Sequence, residues 1–148
     1  MRIAVACDHA GFPLKEDVIQ IIRAAGHEVI DLGAHASEPV DYPDFTYKAG
    51  QAVVRGQADR AVVICGSGVG ATITANKIKG IYACLCHDTY SARQGVEHDN
   101  MNILCLGARI IGVELAKELV RSFLAATMST EERHLRRVGK IRAIEQEN

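Results

Sequence analysis

Residues 60–71 read RAVVICGSGVGA, and the chain continues through TITANKIK to Lys79. The run Ala61 to Cys65 is short, uninterrupted in its hydrophobicity and rich in β-branched residues, as a strand covered on both faces is. Glycines at 66, 68 and 70 then open a turn, and a segment of helical character follows. Strand, glycine turn and helix make up half of a βαβ unit, so the question is whether the same grammar recurs along the chain.

It recurs on both sides. Further strands are expected over Arg2 to Cys7, Glu28 to Leu32, Ile81 to Cys86 and Asn102 to Leu106. Between the first two, Leu14, Val18, Ile21, Ile22 and Ala25 fall on one helical face, with Pro13 in the first turn and Gly26 as the stop. Pro43 opens a second helix carrying Phe45, Ala49, Ala52 and Val53 and ending at Gly56, and Leu115, Leu119 and Phe123 mark the stripe of the helix after the fifth strand. Alternating strand and helix over the chain predicts an α/β fold: a doubly wound, five-stranded parallel sheet of Rossmann or flavodoxin-like type, with helices on both faces. Ligands of such sheets bind beyond the carboxyl ends of the strands. Attention therefore goes to Asp8 and His9, the glycine loop, His87 and Asp88, and Gly107 to Arg109.

The last segment adds a helix without a strand. Ser129-Thr130-Glu131-Glu132 has capping-box spacing, and Arg133, Arg137 and Lys140 form a basic stripe with Leu135 and Val138 roughly opposite. Residues 129–148 are read as a C-terminal helix that docks on a second subunit within a single-domain chain of residues 1–148.

At 148 residues, 48% hydrophobic and 24% charged, the chain has the size and composition of one globular domain. A net charge of -1 provides no basic field for nucleic acid or an anionic membrane. No apolar stretch approaches the roughly 20 residues of a membrane span, and the reading is a cytoplasmic protein. Cys7, Cys65, Cys84, Cys86 and Cys105 are odd in number and lie within or at the ends of apolar runs, which argues against a disulfide framework. Packing is the expectation for all but Cys65. The spacing of Cys84 and Cys86 fits neither a C-x-x-C redox pair nor a zinc site.

Cys65, at the mouth of a glycine loop, can be read as a nucleophile, a base, a redox group or a small buried side chain. A Walker A loop is excluded because Gly70-Ala71-Thr72 lacks its lysine. A cysteine phosphatase loop needs an arginine where Ala71 stands. The loop amides and the positive end of the following helix favour an anion, including a thiolate at Cys65. A thiolate base, Asp8 and His9 on the same rim, and arginines to hold a distant phosphate are the parts that proton abstraction beside a carbonyl requires.

Asp8-His9-Ala10-Gly11, Asp41-Tyr42-Pro43, CGSGVG at 65–70 with Ala75-Asn76-Lys77, Glu97-His98, Asn102-Ile103-Leu104, Gly107-Ala108-Arg109 and the tail Arg133-His134 with Arg136-Arg137 resemble type B ribose-5-phosphate isomerases. That family also includes galactose-6-phosphate and allose-6-phosphate isomerases. The resemblance implies aldose–ketose isomerisation of a sugar phosphate through an enediolate, with no metal or organic cofactor, in a homodimer or dimer of dimers with shared sites. It implies Cys65 as the base, His98 in ring opening, Ser67 assisting an anion hole of Gly66, Gly68, Val69 and Gly70, and Asp8, His9, Tyr42 and Asp99 on the sugar. Arg109, Arg133 and Arg137 would grip the phosphate. Some relatives use a glutamate at the position of Ala71 as the base, and alanine leaves Cys65 in that role.

One departure stands out. Relatives commonly read His-Asn-Asp where this chain has His98-Asp99-Asn100, and a carboxylate cannot donate the hydrogen bond an amide gives. Either Asp99 turns away and Asn100 substitutes, or the preferred sugar differs, with a hexose 6-phosphate the alternative to ribose 5-phosphate; a non-catalytic flavodoxin-like binding module is the alternative to an enzyme. His98 precedes the fifth strand, away from the strand ends that carry Cys65, which predicts that the neighbouring subunit supplies it.

Overall fold

The computed structural model describes residues 1–148. In chain order the elements are β1 (Arg2–Cys7), α1 (Phe12–Ala24), β2 (Glu28–Asp31), α2 (Tyr42–Val54), β3 (Arg60–Cys65), α3 (Val69–Ala75), β4 (Ala83–Leu85), α4 (Thr89–Asp99), β5 (Ile103–Gly107), α5 (Val113–Ala125) and α6 (Glu132–Gln146). The strands form one sheet in the order β2-β1-β3-β5-β4, with every pairing parallel. This is the α/β architecture anticipated from the alternating pattern.

Register fixes the rim of the sheet. Cys7 lies opposite Ile64, and Cys65 opposite Gly107, so β1, β3 and β5 finish at nearly one level. After β1 the chain leaves along α1 on one face, and after β3 it leaves along α3 on the other, which opens a crevice between two adjacent strand ends.

The two faces differ in character. One carries α1, α4 and α5 on large side chains including Ile3, Val18, Ile22, Leu104, Leu119 and Phe123. Removing the Phe123 side chain from water alone contributes about 2–3 kcal/mol. The other carries α2 and α3 on a layer in which eight of 13 buried residues are alanine, which brings the helices close to the strands.

Several local expectations are corrected. The buried stripe of α1 runs through Leu14, Val18, Ile19 and Ile22, with Ala25 outside the helix and exposed. That of α5 runs through Ala116, Leu119, Val120 and Phe123, and Leu115 is exposed. β4 spans only Ala83–Leu85, because the Tyr82 amide donates to Asn102 Oδ1 and Ile81 sits in a turn bonded to Ile78. The edge strand β2 is only half-buried. No capping box forms: α6 has Glu131 at its N-cap, Ser129 Oγ accepts from the Glu131 amide, and Glu132 pairs with Arg136. The side of α6 facing the protein carries His134 and Val138, whereas Leu135 is exposed.

No helix is long and apolar enough to cross a membrane. The five cysteines are free thiols, and Cys84 is exposed on its edge strand rather than packed. Burial pushes the Cys7 thiol up to about 11 and the Cys105 thiol up to about 12, so both are protonated at neutral pH and pack as small apolar groups.

Candidate active site

Cys65 ends β3 and is 4% exposed, at the floor of the crevice. Its Sγ accepts a hydrogen bond from the Gly68 amide at 3.1 Å. Gly68 achieves this with φ of 81°, a left-handed conformation costly for residues with a Cβ, and an added Cβ would lie 2.5 Å from Leu85 Cδ1. The loop is also held from behind. The carbonyls of Cys65 and Gly66 accept from the Ala108 and Arg109 amides at 2.9 and 3.0 Å, and the Gly107 amide donates to His87 Nε2 at 3.1 Å. His87 thus braces the rim.

With its carbonyls tied back, the loop presents its amides forward. The N–H groups of Gly66, Ser67, Gly70 and Ala71 donate to no acceptor in the chain. Ser67 is exposed, and its Oγ accepts from the Val69 amide at 3.3 Å. Such a row of free donors beside a sulfur is suited to a ligand oxygen that gains negative charge.

A cavity of about 580 Å³ lies over this loop. Asp8, His9, Tyr42, Cys65, Gly66, Ser67, Val69, Gly70 and Arg109 all line it, and Ala10, Ile73 and Ile110 complete the wall. Asp8 is buried; its Oδ1 accepts from the Gly11 amide at 2.9 Å, closing the turn ahead of α1. Nδ1 of His9 lies 3.2 Å from both the amide and the carbonyl of Val40, which leaves Nε2 without a partner in the chain. Tyr42, in the first turn of α2, lays its ring over Gly70, where an added Cβ would meet Cζ at 2.5 Å. The Arg109 side chain runs beside Gly66. Ile73 and Ile110 carried no chemical signal in the sequence and are found only through the fold.

Gly68 stands behind the cavity rather than in its wall, holding the sulfur. His98, Asp99, Arg133 and Arg137 do not line it. The first of these, in the last turn of α4, stacks on His134 of α6 with ring centroids 3.9 Å apart. Arg133 pairs with Glu131 at 2.9 Å, while Asp99 borders a separate cleft with Gln94 and Cys84. One chain therefore carries two groups of candidate residues: a thiol with free amides in the crevice, and an imidazole with arginines on α4 and α6. No three His, Cys, Asp or Glu side chains come together as a metal-ligand set.

A family model described as Ribose/Galactose Isomerase matches residues 3–141. The chain is 43% identical over 145 residues to ribose-5-phosphate isomerase B of Escherichia coli (strain K12), spanning 98% of this chain and 97% of the relative. It is 38% identical over 149 residues to D-erythrulose-4-phosphate isomerase 2 of Mycolicibacterium smegmatis, spanning 98% and 97%. The solved structure of ribose-5-phosphate isomerase B of Clostridium thermocellum superposes with a TM-score of 0.95 at 46% identity, covering 99% of each chain.

Proposed function

The chain belongs to the ribose/galactose isomerase family, and we propose that it is an aldose–ketose isomerase interconverting ribose 5-phosphate and ribulose 5-phosphate through an enediolate. The observation that carries the mechanism is the Cys65 sulfur beside a row of free loop amides at the floor of the cavity.

In this reading the Cys65 thiolate removes the proton from C2 of the open-chain aldose and returns it to C1. The enediolate oxygen that gains charge meets the free amides of Gly66, Ser67 and Gly70, with the Ser67 hydroxyl adding a donor. Asp8, His9 and Tyr42 orient the sugar chain, and Arg109 faces the phosphate. Each contact is worth most where charge is greatest, in the transition state.

The second group of residues completes the site from a neighbouring copy. His98 of one subunit opens the furanose ring in the cavity of the other, Asp99 contacts the sugar, and Arg133 and Arg137 grip the phosphate. α6 is the docking element, supported by the exposure of Leu135, Ile141 and Ile144 along it. The result is a homodimer, or a pair of dimers, of a single-domain chain. It acts in the cytoplasm on pentose phosphates, without a metal or organic cofactor and independently of nucleic acid or membrane.

The order Asp99-Asn100 favours a second reading, in which a carboxylate accepts from a hydroxyl of a hexose 6-phosphate. A coupled assay on ribose 5-phosphate, allose 6-phosphate, galactose 6-phosphate and erythrose 4-phosphate separates the substrates. With the preferred sugar, Cys65→Ala is expected to lose roughly 100- to 10,000-fold in kcat with little change in KM. A variant as fast as the wild type would overturn the assignment of the base.

A further inference from the structure

His98 is held on two sides. Its Nδ1 lies 2.8 Å from the side-chain amide of Gln94, one helical turn earlier on α4. Its face rests on the ring of His134, inclined by only 21°. His134 is 3% exposed, and its buried Nδ1 makes no hydrogen bond. The support is itself anchored, because the Ser129 amide donates to the Glu97 carbonyl at 2.8 Å and so ties the entry of α6 to α4. Nε2 of His98 has no hydrogen-bond partner in the chain.

We infer that Gln94 and His134 are positioning residues for furanose opening, holding His98 so that its Nε2 can relay a proton from the anomeric hydroxyl to the ring oxygen. The inference rests on the isomerase reading and on His98 as the ring-opening group. In the step itself, Nε2 takes the O1–H proton as the O–H electron pair becomes the C1=O1 bond. The C1–O4 pair leaves with O4, which then receives the same proton from Nε2. The net change is ring opening, with His98 restored and no oxidation or reduction.

Such a relay passes through an imidazolium and back, and the two supports suit it. The Gln94 amide can offer N–H to a bare Nδ1 or, after a half-turn, its oxygen to Nδ1–H, so it serves either tautomer, whereas a carboxylate would hold only one. Burial, with the nearby His98 and Arg133 side chains, holds the His134 ring below its ordinary pKa, which disfavours its competing for the proton. Replacing its unbonded Nδ1 by carbon removes no hydrogen bond.

Two reactions of the complete protein separate positioning from general structure. Turnover of ribose 5-phosphate requires ring opening, whereas exchange of the C1 hydrogen of ribulose 5-phosphate with D2O requires only the enolising base. His134→Ala should cut ribose 5-phosphate turnover by about 10- to 100-fold, the cost of a loosely held catalytic group. C1 exchange should change by less than about threefold, and His134→Phe should recover most of the loss. Gln94→Leu should show the same split, and Gln94→Glu should move the acid limb of the ribose 5-phosphate pH profile upward while leaving that of exchange in place. Parallel loss in both reactions, or no loss in either, would overturn the inference alone. A wild type that exchanges no C1 hydrogen would overturn the isomerase reading and this inference with it.

Discussion

The Tyr42 ring lies directly over Gly70, close enough that no side chain fits between the first turn of α2 and the loop that carries the free amides. Gly70→Ala would force the ring outward, which is possible because Tyr42 is 40% exposed. The expected result is a 10- to 100-fold fall in kcat/KM, typical of misplaced substrate contacts, with an almost unchanged thermal midpoint. Steady-state kinetics beside a circular dichroism melt distinguishes this from simple destabilisation.

Thiol reactivity should divide the cysteines. Cys84 is exposed and Cys65 sits on the floor of an open cavity, while Cys7, Cys86 and Cys105 are buried. In a Cys84→Ala background, iodoacetamide should label one cysteine per chain, and activity should fall in step with that label as followed by mass spectrometry. Ribose 5-phosphate should slow both. Full activity after complete labelling of Cys65 would contradict its role as base.

Asp99→Asn tests the departure at His98-Asp99-Asn100. If the amide supplies a donor to ribose 5-phosphate, kcat/KM should rise by up to about tenfold, the value of one hydrogen bond. A loss on that substrate together with a larger loss on allose 6-phosphate would favour the hexose reading. Asn100 should be left in place, because it ends α4 in the left-handed region at φ of 58°, which asparagine tolerates well.

Stability should decline in mild acid. Burial is the main cause holding His134 below its ordinary value of 6.5, aided by His98, Arg133 and Arg137 against the opposing Glu131, and burial likewise lowers His27 beside the N-terminal ammonium and Arg60. The unfolded chain thus binds protons that the native state refuses. The contribution is fully present above about pH 6.5 and is lost as the pH falls below that value. Urea midpoints at pH 7.5 and 5.5 should differ in that direction, and His134→Phe or His27→Asn should each reduce the difference. Asp59 and Asp88, held below 3.8 by backbone hydrogen bonds, act in a separate window at lower pH.

Lys15 is a structural charge. Its Nζ lies 3.0 Å from Asp31 Oδ2 and 2.7 Å from the Ala34 carbonyl, with the Lys15 side chain 7% exposed and that of Asp31 31%. Lys15→Met should cost about 2 kcal/mol, less than a fully buried pair because Asp31 keeps partial contact with water. Chemical denaturation measures it directly.

The sheet was legible because a strand covered on both faces shows as an unbroken apolar run, as in Ala61 to Cys65, and glycine turns punctuate such runs clearly. Cys65, Asp8, His9 and Arg109 followed from the rule that sites lie beyond strand ends. What the sequence concealed depends on packing between distant segments. Leu135 and His134 are neighbours in the chain, and hydrophobicity alone selects leucine as the buried one; the stack on His98 reverses the choice. Gln94 gave no signal, because its contact with His98 one turn away has no signature in composition or periodicity. The capping box failed for a related reason: Glu132 finds Arg136 on the next turn, and the loop before α6 is tied to α4 instead.

The alanine layer beneath α2 and α3 has a bearing on how such a protein diverges. With mostly methyl groups separating helix from strand, that side tolerates little enlargement, and the thiol cradle is cast against it. If α4 and α6 complete the site as proposed, new sugar preferences are easier to acquire at their outer, less crowded ends, where side chains can be exchanged without moving the sheet.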